Sequence, residues 1–288
     1  MRKFLRKLAI FTLFPVLYFG INIAANWYLH SNQPVPVENV SVLIVGDSHT
    51  QRSLNPEYFN SSINISQTAE PYVLTYWKLK KIFNSFTPDT LILGFAPHNI
   101  SGFNDLKFSN ERWSDEMFRR SYSISEFDQI SNTIPVDYKA FYKVVWKQTA
   151  FYPKKNHVNY IGGYTNNKTN IISDWEATIE RHYYYDGIEL GISETSINYL
   201  DLIIELCVSK NIEIVLVSNP VHINYLENIP PAAMQRFNAL AERYSKKHIV
   251  FDQTTAMYED SLFLNSDHLN ELGARRFTKE LLNYLSDK

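Results

Sequence analysis

Val40-Ser41-Val42-Leu43-Ile44-Val45-Gly46-Asp47-Ser48-His49-Thr50 is the stretch on which the fold turns. Apart from Ser41 its first six residues are β-branched or aliphatic, and they run straight into a glycine. A strand with one wet face alternates apolar and polar residues. A continuous apolar run reads instead as a strand buried on both faces, the pattern of a parallel sheet. Comparable runs recur at Thr90-Leu91-Ile92-Leu93-Gly94, at Ile212-Glu213-Ile214-Val215-Leu216-Val217 and at His248-Ile249-Val250-Phe251, with a weaker one at 62–65.

Helical periodicity fills the gaps between them. Val73, Leu74, Trp77, Leu79 and Ile82 mark a helix over 71–83, with Pro71 suited to its first turn. Ile197, Leu200, Ile203, Ile204 and Cys207 mark a second, beginning at Ser193. A third runs over 231–244 behind Pro230, and a last one over 271–285 with Asn270 as its N-cap. Strands alternating with helices predict an α/β domain: a three-layer, flavodoxin-like parallel sheet of about five strands with helices on both faces. Ligands bind such sheets beyond the carboxyl ends of the strands.

The segment 101–192 breaks the alternation. It is rich in Asn, Tyr, Ser and charge, with a helix at 139–146 and a turn at Ile161-Gly162-Gly163-Tyr164. It reads as a partly helical insertion that shapes access to a site.

Ahead of the domain, Arg2, Lys3, Arg6 and Lys7 form a basic head, and no Asp, Glu, Lys or Arg follows until Glu38. Residues 8–29 are long enough to cross ~30 Å of hydrocarbon, and Trp27 and Tyr28 suit an interfacial belt. A cleaved signal peptide would need small residues at −3 and −1. Cleavage after Ala25 puts Ile23 at −3, and cleavage after Ala24 puts Asn22 there. The expectation is an uncleaved, single-pass anchor at 1–30. The N-terminus is then cytoplasmic and the body periplasmic or at the cell surface. A proline-bearing linker follows at 31–39, then a domain at 40–288.

A net charge of −2 gives no reason to expect a polyanionic partner, nucleic acid included. The single cysteine, Cys207, excludes an internal disulfide, and no metal-ligand spacing is present, so neither metal nor cofactor is expected.

Three places in the chain carry chemistry. Ser48 follows the first strand on a tight turn that Gly46 permits, and a helical turn after it would aim N–H groups at an oxyanion. Ser266-Asp267-His268-Leu269-Asn270 precedes the last helix and offers a histidine base with a neighbouring carboxylate. Gly94-Phe95-Ala96-Pro97-His98-Asn99 follows the third strand and offers a side-chain amide. His49 and Arg52 beside the serine, and His222 past the fourth strand, are possible substrate contacts.

These blocks resemble the SGNH (GDSL-like) superfamily, whose Gly-Asp-Ser block is matched by Gly46-Asp47-Ser48 and whose late Asp/His block is matched at Asp267-His268. The resemblance covers roughly residues 40 to 285, apart from the insertion. It implies Ser48 as nucleophile, His268 as base and Asn99 as an oxyanion donor. The family's Asp three residues before His is replaced by Asn265, so support for His268 falls to Asp267, Asn265 or Asp252. The family's glycine past the second strand is replaced by Ser66-Gln67-Thr68, which makes Gln67 a second candidate donor. An anchored domain of this type resembles enzymes that add or remove O-acetyl groups on cell-envelope or exported polysaccharide. A transferase would need a multi-span membrane partner to carry the acyl group across. The alternative is a non-catalytic glycan-binding or assembly factor with a degenerate site.

Overall fold

The computed structural model describes residues 1–125, 131–132 and 134–288; residues 126–130 and 133, inside the expected insertion, lie outside the described residues. The sheet consists of β1 (Val42–Val45), β2 (Ser62–Asn64), β3 (Thr90–Gly94), β6 (Glu213–Ser218) and β7 (Ile249–Asp252). They are ordered β2-β1-β3-β6-β7, and each neighbouring pair is parallel. This is the doubly wound arrangement that the alternating runs predict. The strand order reverses beside β1 and β3, so the turns after those two strands flank the crevice.

Side chains alternate across the sheet because successive Cβ atoms face opposite sides. Leu43, Val45, Leu91, Leu93, Ile214 and Leu216 enter one core. They meet Trp77 of α3 (Tyr72–Ile82), Leu200 and Ile203 of α8 (Glu194–Ser209), and Phe237 of α10 (Pro231–Ser245). Ile44, Ile92, Val215 and Val217 enter the other core with Phe277 and Leu281 of α11 (Glu271–Ser286). Each such buried side chain contributes roughly 1.5–3 kcal/mol. Local caps agree with the packing: the Ser193 side chain accepts from Ser196 N–H, and that of Asn270 accepts from Leu272 and Gly273 N–H.

The insertion contains α4 (Phe103–Leu106), α5 (Ser114–Ser121), α6 (Tyr138–Thr149) and α7 (Trp175–Tyr183), then a hairpin of β4 (Tyr184–Tyr185) and β5 (Ile188–Glu189). The segment at Ile161-Gly162-Gly163-Tyr164 is not a turn. Gly162 and Gly163 N–H donate to Ile65 and Ser66 carbonyls, so the segment runs beside the exit of β2.

The N-terminal helix α1 (Arg2–Asn32) is long and apolar enough to span a membrane. Its last turns dock on the insertion. The buried Asn26 amide donates to the carbonyls of Thr149 and Phe151 at 2.9 Å each, and its oxygen accepts from Lys154 N–H. Phe19 packs against Trp146 and Phe151. The expected spacer is tied down as well, since Val35 and Val37 pack on the core.

Candidate active site

Ser48 opens the short helix α2 (Ser48–Ser53), directly past β1. Asp47 caps that helix, its carboxylate accepting from His49 N–H at 2.9 Å. The turn needs glycine twice. Gly46 sits at φ +149°, and a Cβ on Gly94 would lie 2.0 Å from Thr50 Oγ1, so Thr50 fills the notch between β1 and β3. The Asn64 amide donates to Thr50 and Leu54 carbonyls and fixes the helix against β2. Ser48 is half-buried among buried neighbours, which leaves its hydroxyl reachable.

The structure brings His268 to it across 220 residues of sequence: His268 Nε2 lies 2.8 Å from Ser48 Oγ. On the far side of the ring, Asn265 Oδ1 accepts from Nδ1–H at 2.9 Å and also from the His268 backbone N–H at 2.9 Å. An amide oxygen can only accept, so this bond selects the tautomer with its proton on Nδ1 and a lone pair facing Ser48. Asp267 Oδ1 is 2.8 Å from the same Nδ1. Neither Asp267 oxygen makes an aligned hydrogen bond, although the residue is fully buried. Asn265 thus provides the directional contact and Asp267 the charge. Asp252 is exposed and caps Thr254 N–H, outside the site.

A column of imidazoles lies behind this pair. His49 stacks on His268 with centroids 4.4 Å apart and on His98 at 3.9 Å, and His98 stacks on His182 at 4.9 Å. His49 spans two buried carboxylates, its Nδ1 being 3.4 Å from Asp47 and its Nε2 3.4 Å from Asp267. Burial raises both carboxyls, but the facing histidines outweigh it and hold both well below the usual carboxylate range. Burial, followed by the like charge of a neighbouring imidazole, holds His98 and His182 below an ordinary histidine. By spacing, Asp47, His49 and His98, or His49, Asp267 and His268, could hold a metal ion. In the second group an ion would compete with Ser48 for His268.

Four sequence expectations change. Asn99 does not face the serine: its amide donates to Asp47 Oδ2 at 2.8 Å and its oxygen accepts from Ala96 N–H. The Gln67 side chain donates to Asn159 O, and its backbone N–H extends the sheet to Gly46 O. His49 is buried in the column rather than exposed to substrate. His222 braces the histidine loop, donating its N–H to Ser266 O and capping α9 (Ile223–Leu226), with Asp260 3.3 Å from its ring. Arg52 does line the cavity at Ser48. Past β2, Ala69 lines the cavity at φ +59°, and no acceptor is paired with its N–H among the described residues.

The cavity has a volume of about 220 Å³ and opens onto Ser48 and His268. His98, Lys107, Arg112, Arg181 and His182 also line it, and sequence reading missed all five. They come from the β3 exit and the insertion, where periodicity is weak. Only His98 had a signal, its place past a buried strand. Burial pushes the Lys107 ammonium down to about 7.

No protein-family model matches the chain, and no curated protein matches it. Solved structures do. A GDSL-like lipase from Bacteroides thetaiotaomicron is 12% identical with a TM-score of 0.41, covering 92% of this chain and 96% of that one. An acetylxylan esterase from Geobacillus stearothermophilus, in a catalytic-mutant form, is 12% identical at a TM-score of 0.39, covering 86% and 95%. A lipase/acylhydrolase from Enterococcus faecalis is 11% identical at 0.37, covering 85% and 94%.

Proposed function

We propose that this chain is a serine-dependent enzyme of O-acyl esters, hydrolysing or transferring a short acyl group, acetyl above all, on cell-envelope or exported polysaccharide. The observation that carries the reading is the 2.8 Å contact between His268 Nε2 and Ser48 Oγ, with Nδ1 held from behind. Nucleophile, base and orienting group within hydrogen-bond reach are the requirement for serine catalysis.

In the first step Ser48 Oγ bonds to the acyl carbon as its proton passes to His268 Nε2. The ester C–O bond then breaks, and His268 returns the proton to the leaving alkoxide. Water or a sugar hydroxyl next gives its proton to His268 and bonds to the acyl carbon, and His268 passes that proton to Ser48 Oγ as the acyl–Oγ bond breaks. Hydrolysis and transfer use the same residues. The Ser48 and Ala69 backbone N–H groups take the place of Asn99 and Gln67 as oxyanion donors; one such donor is worth ~3 kcal/mol of barrier. The small cavity favours short acyl groups, since sites for drug-sized ligands run to about 300–1,000 Å³.

In this reading α1 anchors the enzyme with its N-terminus in the cytoplasm and its domain outside. A transferase would draw its acyl group from a multi-span membrane partner. Treating the full-length chain in detergent with a fluorophosphonate probe tests the chemistry. Labelling that disappears in Ser48→Ala supports it. An unlabelled wild-type chain that cleaves no acetyl ester would refute it and leave a non-catalytic glycan-binding role.

A further inference from the structure

The cavity at Ser48 contains far more positive charge than its own carboxylates can balance. Lys107 is 3% exposed, its Nζ donates to Asn104 Oδ1 at 2.8 Å, and it sits 4.4 Å over the Phe103 ring. No carboxylate lies within ion-pairing distance of it among the described residues. Lys78, just as deeply buried at 1%, shows what the fold does with a structural lysine: it pairs with Glu70 at 2.7 Å. Burying an ammonium without a counter-ion is costly, so an unpaired one on a cavity wall points to a ligand that completes it.

Three guanidinium groups share that wall. Arg52 has no ion pair among the described residues. Arg112 lies over the Trp113 ring at 5.0 Å. Arg181 is 3.7 Å from the buried Asp267. The one acidic side chain on the wall, Asp47, is already committed to His98 at 2.6 Å, to Asn99 and to His49 N–H.

Resting on the ester-enzyme reading above, we propose that the substrate carries an anionic group, a carboxylate or a phosphate, next to the scissile ester, held by Lys107 with Arg52, Arg112 and Arg181. Guanidinium forks match the geometry of both anions. A larger groove of about 580 Å³ adjoins the cavity through Phe103, Arg112, Trp113 and Arg181; Tyr184 and Tyr185 line it together with the acids Glu111, Glu180 and Asp186. Its aromatic faces suit sugar rings and its acids disfavour further anions, so the substrate class is a glycan whose anionic residue enters the inner cavity while uncharged neighbouring rings lie along the groove.

The test compares three acetyl esters on the full-length chain in detergent: a methyl glucoside, a methyl glucuronoside and a methyl glucoside phosphate. At least one charged ester is expected to exceed the neutral one tenfold or more in kcat/KM, and the better of the two identifies the anion. Lys107→Met should bring that ratio close to one; Arg181→Gln serves as a second variant should the first fail to fold. In parallel, calorimetry on Ser48→Ala measures binding of glucuronate and inorganic phosphate. Binding at low salt that weakens tenfold in Ser48→Ala/Lys107→Met supports the site. Equal turnover of all three esters with no anion binding overturns the proposal while leaving the esterase reading intact. Lys107-dependent anion binding in a chain that cleaves no ester does the reverse.

Discussion

Replacing Asp267 by Asn removes one buried charge and keeps the side-chain shape. In the wild-type protein Asp267 Oδ1 stands 2.8 Å from His268 Nδ1 but makes no aligned hydrogen bond there. Asn265 already fixes the tautomer at 2.9 Å. The substitution should therefore leave the ring in place and alter only the charge facing it when it becomes imidazolium in the transition state. Two unit charges about 4 Å apart at an effective dielectric of about 20 interact by about 4 kcal/mol. That corresponds to a loss of about 10³-fold in kcat. The assay is single-turnover acetyl release, with fluorophosphonate labelling rate as a second readout and thermal unfolding as a check on folding. Asn265→Leu should differ in kind, because it removes both the Nδ1 acceptor and the cap on His268 N–H, so the ring loses its orientation. A folded Asp267→Asn protein within fivefold of wild-type kcat would refute the division of labour. The Arg181 guanidinium, 3.7 Å from the other oxygen, would then already offset that charge.

Further outcomes follow from single contacts. Gly94→Ala should cost about 1–3 kcal/mol in denaturant unfolding and slow probe labelling, because its Cβ would meet Thr50 Oγ1 at 2.0 Å and shift the start of α2. Ala69→Gly should stabilise the fold by roughly 0.5 to 1 kcal/mol, since φ +59° strains any residue with a Cβ; an unchanged unfolding midpoint would count against that strain. Lys107 has its folded pKa depressed to about 7, so the unfolded chain binds more protons above that pH and stability should rise as pH climbs from about 7 toward the ordinary lysine value. Lys107→Met should abolish that slope and raise stability at pH 7 by roughly 2–4 kcal/mol, measured by unfolding across the pH series. The Asp47 and Asp267 carboxyls are depressed in the folded state. Their contribution is present above the ordinary carboxylate value and is lost as pH falls through their folded values. Acid unfolding of Asp267→Asn should therefore be shallower than that of wild type.

Local patterns settled much of this molecule. Continuous apolar runs ending in Gly46 and Gly94 specify buried parallel strands, and helix periodicity between them specifies a doubly wound sheet, because burial on two faces leaves a mark in every residue of a strand. Ser48 and His268 could be singled out for the same reason: each lies a fixed step from a legible element, Ser48 past the first strand and His268 before the last helix. The long apolar stretch likewise marks α1 without any tertiary information. What required the folded chain were contacts between segments whose own sequences carry no period. Neither Asn99 nor Gln67 shows in sequence that its amide is already taken, by Asp47 in one case and Asn159 in the other. Adjacent residues commonly point apart, so only the bend of the loop, braced by His222 and Asp174 at Ser266, explains how Asp267 and Asn265 both reach one imidazole. The histidine column and the four cations around the cavity come from the β1 and β3 exits, the insertion and the final loop. Charge and hydrogen bonding act through space, and a residue's position in the chain says nothing of its neighbours until the sheet has brought those loops to one edge.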